Sequence, residues 1–303
     1  MNDKPLLATR TSEPPMAVLS AVTAFFLWGV LPIYWKAAVP IGSAVIVAHR
    51  VWGTILFLVP LLKSRDEFDD WIAALKTPSL LRVHGWAALL LTANWSLFIW
   101  ANQHGRIVEA SVGYFLNPLL NVFIGFLFLG ERLSRLQMVS VSLAGLGVLM
   151  QVIMVGHFPW IALLLASTFG VYGLVRRRSS LGSLTGLAVE TVLVLPFALA
   201  WLTWCHFQGL PLWGSGTSLE IGLVIGAGVA TALPLLTFAY AARQLRFSTL
   251  GLLQFIAPTG QFLLGALLYR EPVTVGAMVS FAFIWAGVAV FCLNALGGGG
   301  SGK

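Results

Sequence analysis

Residues 108–129 read VEASVGYFLNPLLNVFIGFLFL, an apolar run whose only charged side chain is Glu109. An α-helix rises about 1.5 Å per residue, so this run is long enough to cross a hydrocarbon layer about 30 Å thick. It does not alternate polar and apolar residues, as the strands of a membrane barrel do. The stretch therefore predicts a transmembrane helix.

The composition of the whole chain agrees with this interpretation. Of the 303 residues, 58% are hydrophobic and only 10% are charged, whereas a soluble domain averages about 25% charged residues. This composition excludes an ordinary soluble enzyme and predicts an all-α integral membrane protein. The net charge of +7 then indicates loops that face anionic lipid rather than a nucleic-acid-binding surface.

Ten apolar segments are long enough to be spans. They cover residues 16–36, 42–62, 84–104, 108–129, 136–155, 159–175, 184–204, 219–241, 247–269 and 273–294. The loop 63–83 is the long and charged one, and its residues 66–75 predict a short amphipathic helix on the membrane surface. The glycine-rich tail 297–303 is typical of a linker or tag remnant and is set aside.

Positive charge predicts the orientation of these spans. If the N-terminal tail 1–15 is cytoplasmic, the inner loops hold thirteen Lys and Arg residues, and the outer side holds Lys36, Arg106 and Arg270. Because cytoplasmic loops are enriched in Lys and Arg, both termini are predicted to lie in the cytoplasm.

The chain also repeats itself at an offset of 140 residues. Residues 83–150 share 14 identities over 68 positions with residues 223–290, including Pro118 with Pro258 and Glu131 with Glu271. The predicted repeats cover residues 16–155 and 159–294. Each holds five spans, so the second enters the membrane from the opposite side, which is the inverted arrangement of many transporters.

Several motifs resemble a known family. The segment 109–119, EASVGYFLNPL, leads into FLGER at 128–132 and is similar to EamA-type transporters of the drug/metabolite transporter superfamily. The segments AHRV at 48–51, NWSLFIWA at 94–101, LRFSTLG at 245–251 and FAFIW at 281–285 resemble the RarD branch, the "chloramphenicol-sensitive protein" group. The likeness extends from about residue 16 to 294. It implies a ten-helix inner-membrane permease that exports small metabolites or drugs through a central cavity, with the fifth and tenth helices at the edge.

Two charged residues lie well inside the predicted spans. Arg50 and Glu190 are separated by 140 residues and so occupy equivalent places in the two repeats, about 9 Å apart in depth. A charge at this depth costs about 2.5–3.5 kcal/mol, so each residue is either functional or anchored by polar neighbours. Arg50 could attract an anionic substrate. Glu190 could carry a coupling proton because hydrocarbon favours the neutral form of a carboxyl, and Glu109 is a further candidate.

Polar and aromatic residues on both repeats predict a substrate cavity near the midplane. Tyr114, Asn117 and Asn121 share one helix face, and the second repeat carries Gln254 and Gln261 at equivalent places. Such amides indicate either a wet cavity or hydrogen bonds that join helices. The predicted cavity residues are Trp28, Asn94, Trp95, Tyr114, Asn117, Asn121, Tyr172, Tyr240, Gln254 and Gln261.

Pro118 and Pro258 lie in the middle of spans and each removes a backbone hydrogen bond. They are either paired hinges or tolerated kinks.

Three function classes are compatible with these observations. The favoured one is a secondary transporter that moves a small molecule by alternating access, with protons as a candidate coupling ion. A membrane-embedded enzyme would need a catalytic cluster, and a passive channel or scaffold would need no midplane site. No nucleotide-binding motif, metal-ligand set or cofactor motif is visible, so no cofactor is expected. The sequence leaves the substrate and the oligomeric state open.

Overall fold

The computed structural model describes residues 14–129, 135–155, 158–177, 179–242, 244–245 and 253–297. Its helices are α1 (Pro15–Ala37), α2 (Ser43–Ser64), α3 (Phe68–Leu75), α4 (Pro78–Gln103), α5 (Ile107–Leu129), α6 (Arg135–Val155), α7 (Trp160–Arg177), α8 (Ser183–Phe207), α9 (Ser218–Ala242), α10 (Ile256–Leu263) and α11 (Val275–Gly297). A π-helical turn at Leu264–Leu268 continues α10. Within these ranges no β-strand is present, which confirms the predicted all-α class.

The helices expose apolar side chains, as expected of helices in lipid. Among the described residues, four helical segments, Pro15–Ala37, Ser43–Ser64, Ser183–Phe207 and Ser218–Phe238, are long and apolar enough to cross a membrane, and four shorter apolar helices accompany them. Phe197 is 76% exposed and Trp86 is 66% exposed. Such surfaces are unfavourable in water but not against lipid. In α3, Trp71 is buried while Asp69 and Asp70 are exposed, which confirms the amphipathic helix.

The connections between helices define two ends of the bundle. The upper end holds residues 38–42, 104–106, 208–217 and 269–274, and the lower end holds residues 65–77 and 179–182. At the upper end, the ammonium of Lys36 lies 5.3 Å from the ring centroid of Tyr269. At the lower end, the Thr185 hydroxyl donates a 2.6 Å hydrogen bond to Glu67.

Small residues let helices from the two halves of the chain approach closely. A Cβ added to Gly147 of α6 would lie 2.9 Å from the Ser280 carbonyl oxygen of α11, and one added to Gly287 would lie 2.8 Å from the Ser140 carbonyl oxygen. The Ser280 hydroxyl also donates a 2.7 Å hydrogen bond to the Gly147 carbonyl. Close backbone contact of this kind is how helices associate in membranes. It fixes α6 against α11 at the edge of the bundle.

The remaining long helices surround the centre of the bundle. Here α1 packs against α9 and α10, α2 against α8 and α9, and α7 against α4 and α5. At the crossing of α2 and α9, Gly53 and Gly228 bring the two backbones together, and a Cβ on Gly228 would overlap the Gly53 carbonyl. These crossings hold the helices that line the central cavity.

An apolar cluster closes the upper end of this centre. Its members come from α1, α2, α4, α5, α7, α8 and α9 and from the turn before α2, and include Trp35, Ile46, Ile99, Ile161, Leu165 and Val224, none more than 1% exposed. These packed side chains separate the centre of the bundle from the upper end.

Candidate functional site

A cavity of about 260 Å³ lies in the middle of the bundle, below the apolar cluster. Residues of α1, α2, α4, α5, α7, α8, α9 and α10 line it. Of the residues singled out from the sequence, the lining includes Trp28, Arg50, Asn94, Trp95, Tyr114, Asn117, Tyr172, Gln254, Pro258 and Gln261. Towards the lower end it reaches Arg176 and Ser183, and the Arg176 side chain is 16% exposed there. The cavity is therefore closed above and approaches solvent below.

Arg50 is the most unusual side chain of the lining. It is only 4% exposed, and its guanidinium carbon lies 3.7 Å from the ring centroid of Trp95 and 5.5 Å from that of Trp35. Its Nε has no hydrogen-bond partner. Among the described side chains no carboxylate pairs with Arg50. Two indole faces therefore stabilise the cation through cation–π contact without neutralising it.

The amide side chains of the lining fall into two groups. The Asn94 amide nitrogen donates 2.9 Å hydrogen bonds to the Leu165 carbonyl and the Thr168 hydroxyl of α7, and its oxygen accepts a 3.3 Å hydrogen bond from Tyr114. Asn94 thus joins α4 to α7. The side-chain oxygens of Asn117 and Gln261 are instead buried without a partner. Since an unmade buried hydrogen bond is costly, a hydrogen-bond donor brought against either oxygen would be favourable.

Aromatic rings form the apolar walls of the cavity. Trp28 lies with its ring centroid 5.6 Å from that of Phe25 and 5.5 Å from that of Phe238. On the opposite helices, Tyr114 packs edge-on against Phe98 at 5.4 Å. Rings in such contact keep their orientation, and they present faces on which a flat apolar group can stack.

Glu190 lies behind the cavity wall rather than on it. Its carboxylate accepts hydrogen bonds from His84 Nδ1 at 2.9 Å and from the Tyr172 hydroxyl at 3.1 Å, and it forms a 3.3 Å ion pair with Arg176. His84 Nε2 lies 2.8 Å from the Ser179 hydroxyl. Glu190 therefore joins α4, α7 and α8 at the lower end, and Arg50 is not one of its partners.

The other predicted residues lie elsewhere or outside the description. Glu109 is in the first turn of α5, where Arg106 donates a 3.2 Å hydrogen bond to it, and it does not line the cavity. Tyr240 is 45% exposed on α9 and also lies off the cavity, because the turn of the helix there directs it outward. The side chains of Asn121 and Pro118 lie outside the described residues.

The helix that contains Pro258 is interrupted close to that residue. Residues 247–269 are predicted as one span, but within the described part residue 253 is helical, residues 254 and 255 form a turn, and regular helix resumes at Ile256. Pro258 has no N–H to bond the carbonyl of Gln254, four residues earlier, and Gln254 lines the cavity. The break therefore lies next to the site.

A carboxylate at the upper end connects α10 to α5. The two oxygens of Glu271 accept hydrogen bonds from the backbone N–H groups of Ile107 and Val108, at 2.9 and 2.8 Å. Helix N-termini carry unpaired N–H groups and partial positive charge, so a carboxylate is well suited to this position. Glu271 thus joins the segment that follows α10 to the start of α5 at the upper end.

Residues 15–153 match the EamA-like transporter family. The chain is 42% identical over 280 residues to "Protein RarD" of Salmonella typhi, covering 92% of this chain and 95% of that protein. The chain belongs to the EamA-like transporter family. Within it, the likeness to RarD proteins places the chain in the RarD branch, and it is a multi-pass membrane protein.

Other relatives of this EamA-like transporter extend the comparison. It is 39% identical over 287 residues to "Uncharacterized transporter YojE" of Bacillus subtilis, covering 93% and 95% of the two chains. It is 31% identical over 281 residues to "Chloramphenicol-sensitive protein RarD" of Pseudomonas aeruginosa, covering 89% and 91%. One protein crystal structure aligns with a TM-score of 0.58 and 23% identity over 92% of this chain and 98% of that one, which shows a shared fold.

The residues of the site in this EamA-like transporter that were not predicted from its sequence include Arg176, His84 and Trp35. Arg176 begins a run of three arginines that reads as loop charge, yet it lines the cavity and pairs with Glu190. His84 starts a predicted span, and Trp35 lies near the end of one. No local pattern marks their partners, because those partners are distant in sequence.

Proposed function

We propose that this chain is a secondary transporter of the bacterial inner membrane that exports small metabolites or drugs by alternating access. The observation that carries this proposal is a central cavity closed at the upper end by packed apolar side chains and approached from the lower end by Arg176 and Ser183. A cavity that is accessible from one side at a time is what alternating access requires.

The proposal includes ten spans in two inverted repeats, 16–155 and 159–294. Helix packing supports this arrangement. The first helix of one repeat, α1, packs against the fourth helix of the other, α10, and α7 packs in the same way against α5. Gly147 and Gly287, which are 140 residues apart, make matching contacts between α6 and α11. Such symmetry allows the two halves to exchange conformations.

The proposal also includes an orientation. The count of Lys and Arg residues puts both termini and the lower end in the cytoplasm. The cavity described above would then be the inward-facing state, in which a substrate enters from the cytoplasm. Opening of the upper end would release it outside.

Glu190 is the proposed coupling group for protons. It is a buried carboxylate, 1% exposed, and it is hydrogen-bonded to Tyr172 and ion-paired to Arg176, both of which line the cavity. Protonation of Glu190 would remove the ion pair and so change how α7 and α8 are held together. A proton taken up on one side could in this way favour one state of the transporter.

Counterflow in proteoliposomes tests the transport function. The purified protein is reconstituted and offered a radiolabelled panel of amino acids, chloramphenicol and aromatic acids. Saturable uptake of at least one compound, accelerated by the same unlabelled compound inside, is expected. Flux without saturation or counterflow would indicate a channel, and chemical conversion of the compound would indicate an enzyme; either result would contradict the proposal, as would a panel with no counterflow.

A pair of variants tests whether the transported compound passes through the cavity. Leu235 of α9 lines the cavity, whereas Leu233 on the same helix is 43% exposed on the outer surface. Leu235→Trp places an indole in the cavity and should abolish counterflow. Leu233→Trp makes the same change on the surface and should leave it intact. Equal activity of the two variants would mean that the substrate passes elsewhere.

A further inference from the structure

The charges that line the cavity are unbalanced. Among the described residues its lining contains two arginines, Arg50 and Arg176, and no aspartate or glutamate. Arg176 is ion-paired with Glu190 at 3.3 Å. Arg50 has no such partner among the described side chains. The cavity therefore carries one uncompensated positive charge, which attracts anions and repels cations.

The geometry around Arg50 leaves its hydrogen-bond donors free for a ligand. A guanidinium carries five N–H donors in its plane. The guanidinium carbon lies over the rings of Trp95 and Trp35, and contact with a ring face leaves the N–H donors at the edge of the guanidinium free. A carboxylate can bind such an edge through two parallel hydrogen bonds. The indoles hold the guanidinium in place for this contact.

The other residues of the cavity lining indicate the chemistry of the rest of the ligand. The Asn117 and Gln261 side-chain oxygens are buried acceptors without a partner, so they suit an O–H or N–H group. The rings of Trp28, Phe25 and Phe238 suit a flat apolar body. The volume of about 260 Å³ is close to the lower limit of ligand pockets, about 300 Å³, so one small molecule fits.

Building on the transport function proposed above, we propose that the cargo of this cavity is a small organic anion. Its carboxylate binds the guanidinium of Arg50, its flat apolar body lies against the aromatic walls, and a hydrogen-bond donor at its far end meets Asn117 or Gln261. Organic cations of the same shape are excluded by the uncompensated charge of Arg50.

Three probes with one shared body test this charge selection. 4-Hydroxyphenylacetate, tyrosol and tyramine carry the same phenol and differ in having an acid, an alcohol or an amine. Binding to the purified wild-type protein is measured by isothermal titration calorimetry. The acid should bind at least tenfold more tightly than the alcohol, since a hydrogen bond to a charged group contributes about tenfold or more, and the amine should bind most weakly.

Substitution of Arg50 tests whether that residue causes the preference for the acid over the alcohol and the amine. Arg50→Gln should lower the affinity for the acid about tenfold or more and leave tyrosol binding within twofold. Arg50→Lys keeps the charge and should keep the preference for the acid. Arg106→Gln is the matched control, because Arg106 is 46% exposed, lies off the cavity and pairs with Glu109. If Arg50→Gln does not fold, the order of the three probes on the wild type still decides the matter.

The outcomes separate this proposal from the proposed transport function. Failure of the wild type to bind the acid at millimolar concentration overturns the anion proposal, as does tyramine binding as tightly as the acid. Counterflow of neutral or cationic compounds that does not depend on Arg50 would leave the transporter standing and refute the anion class. Binding of the acid that depends on Arg50, without counterflow, would support the anion site and refute transport.

Discussion

Glu271→Gln is expected to release the upper end of the transporter. In the described structure the Glu271 carboxylate accepts backbone hydrogen bonds from Ile107 and Val108 at 2.9 and 2.8 Å. Glutamine retains one acceptor oxygen and replaces the other with an NH₂ group, which cannot accept from a backbone N–H. The substitution therefore removes one hydrogen bond and the negative charge at the start of α5.

The size of the effect follows from these two losses. A hydrogen bond to a charged group contributes about 1.5–3 kcal/mol, and an anion at a helix N-terminus about 0.3–1 kcal/mol. Their sum is about 2–4 kcal/mol. If the contact exists only while the upper end is closed, the equilibrium moves toward the open state by about 30- to 700-fold, at tenfold per 1.4 kcal/mol.

Thiol labelling measures this equilibrium. Leu31 lines the cavity, so Leu31→Cys reports whether a membrane-impermeant maleimide can reach it from outside. Cys205 and Cys292 are first replaced by alanine, and right-side-out vesicles are used. The labelling rate should rise at least tenfold when Glu271→Gln is added.

Glu220→Gln supplies the matched control. Glu220 also accepts a backbone hydrogen bond at the upper end, from Thr217 at 3.1 Å, but both residues belong to the start of α9. This contact caps one helix and joins no second one. Glu220→Gln should therefore leave the labelling rate unchanged. A rate in Glu271→Gln that stays within twofold of the parent, in a folded protein, would refute the role of Glu271 in closing the upper end.

Three further predictions concern helix packing, proton coupling and the two prolines. Gly147→Ala should lower the melting temperature in detergent, because overpacking costs about 1–3 kcal/mol of stability. Gly145→Ala should leave the melting temperature unchanged, because a Cβ there meets nothing within 4 Å. Equal melting temperatures for the two variants would contradict the close contact with α11. Glu190→Gln should remove the pH dependence of counterflow while exchange at fixed pH persists, and an unchanged pH profile would leave Glu190 as an anchor for Arg176. Pro258→Ala and Pro118→Ala should each slow transport more than they weaken substrate binding, and normal rates in both would make the prolines tolerated kinks.

The apolar helices could be predicted from the sequence because their signal is local. The length of an apolar run and the scarcity of charge within it decide whether a segment can satisfy its backbone hydrogen bonds in lipid. The predicted segment 184–204 and the observed α8, Ser183–Phe207, differ by at most three residues at each end. Two segments differ more. The helix α4 begins at Pro78, six residues before the predicted 84–104, and in the described part of 247–269 a turn at residues 254 and 255 interrupts the helix.

Most of the polar residues of the cavity lining could also be predicted, because polar side chains in the middle of apolar helices are unusual. The individual roles of these residues could not be predicted. Asn94 and Asn117 are the same residue type on neighbouring helices. The Asn94 amide nitrogen donates hydrogen bonds to α7, whereas the Asn117 side-chain oxygen accepts none. The rotation of each helix about its axis makes this difference, and that rotation depends on the neighbouring helices.

The sequence by itself determined that two charges, Arg50 and Glu190, lie deep within apolar segments. Only the tertiary structure decided how each is accommodated. Glu190 meets Arg176 and His84, and its charge is compensated, whereas Arg50 meets two indole rings and its charge is not. The physical reason is that these partners lie on other helices, and hydropathy along one helix carries no information about which side chain of another will lie opposite.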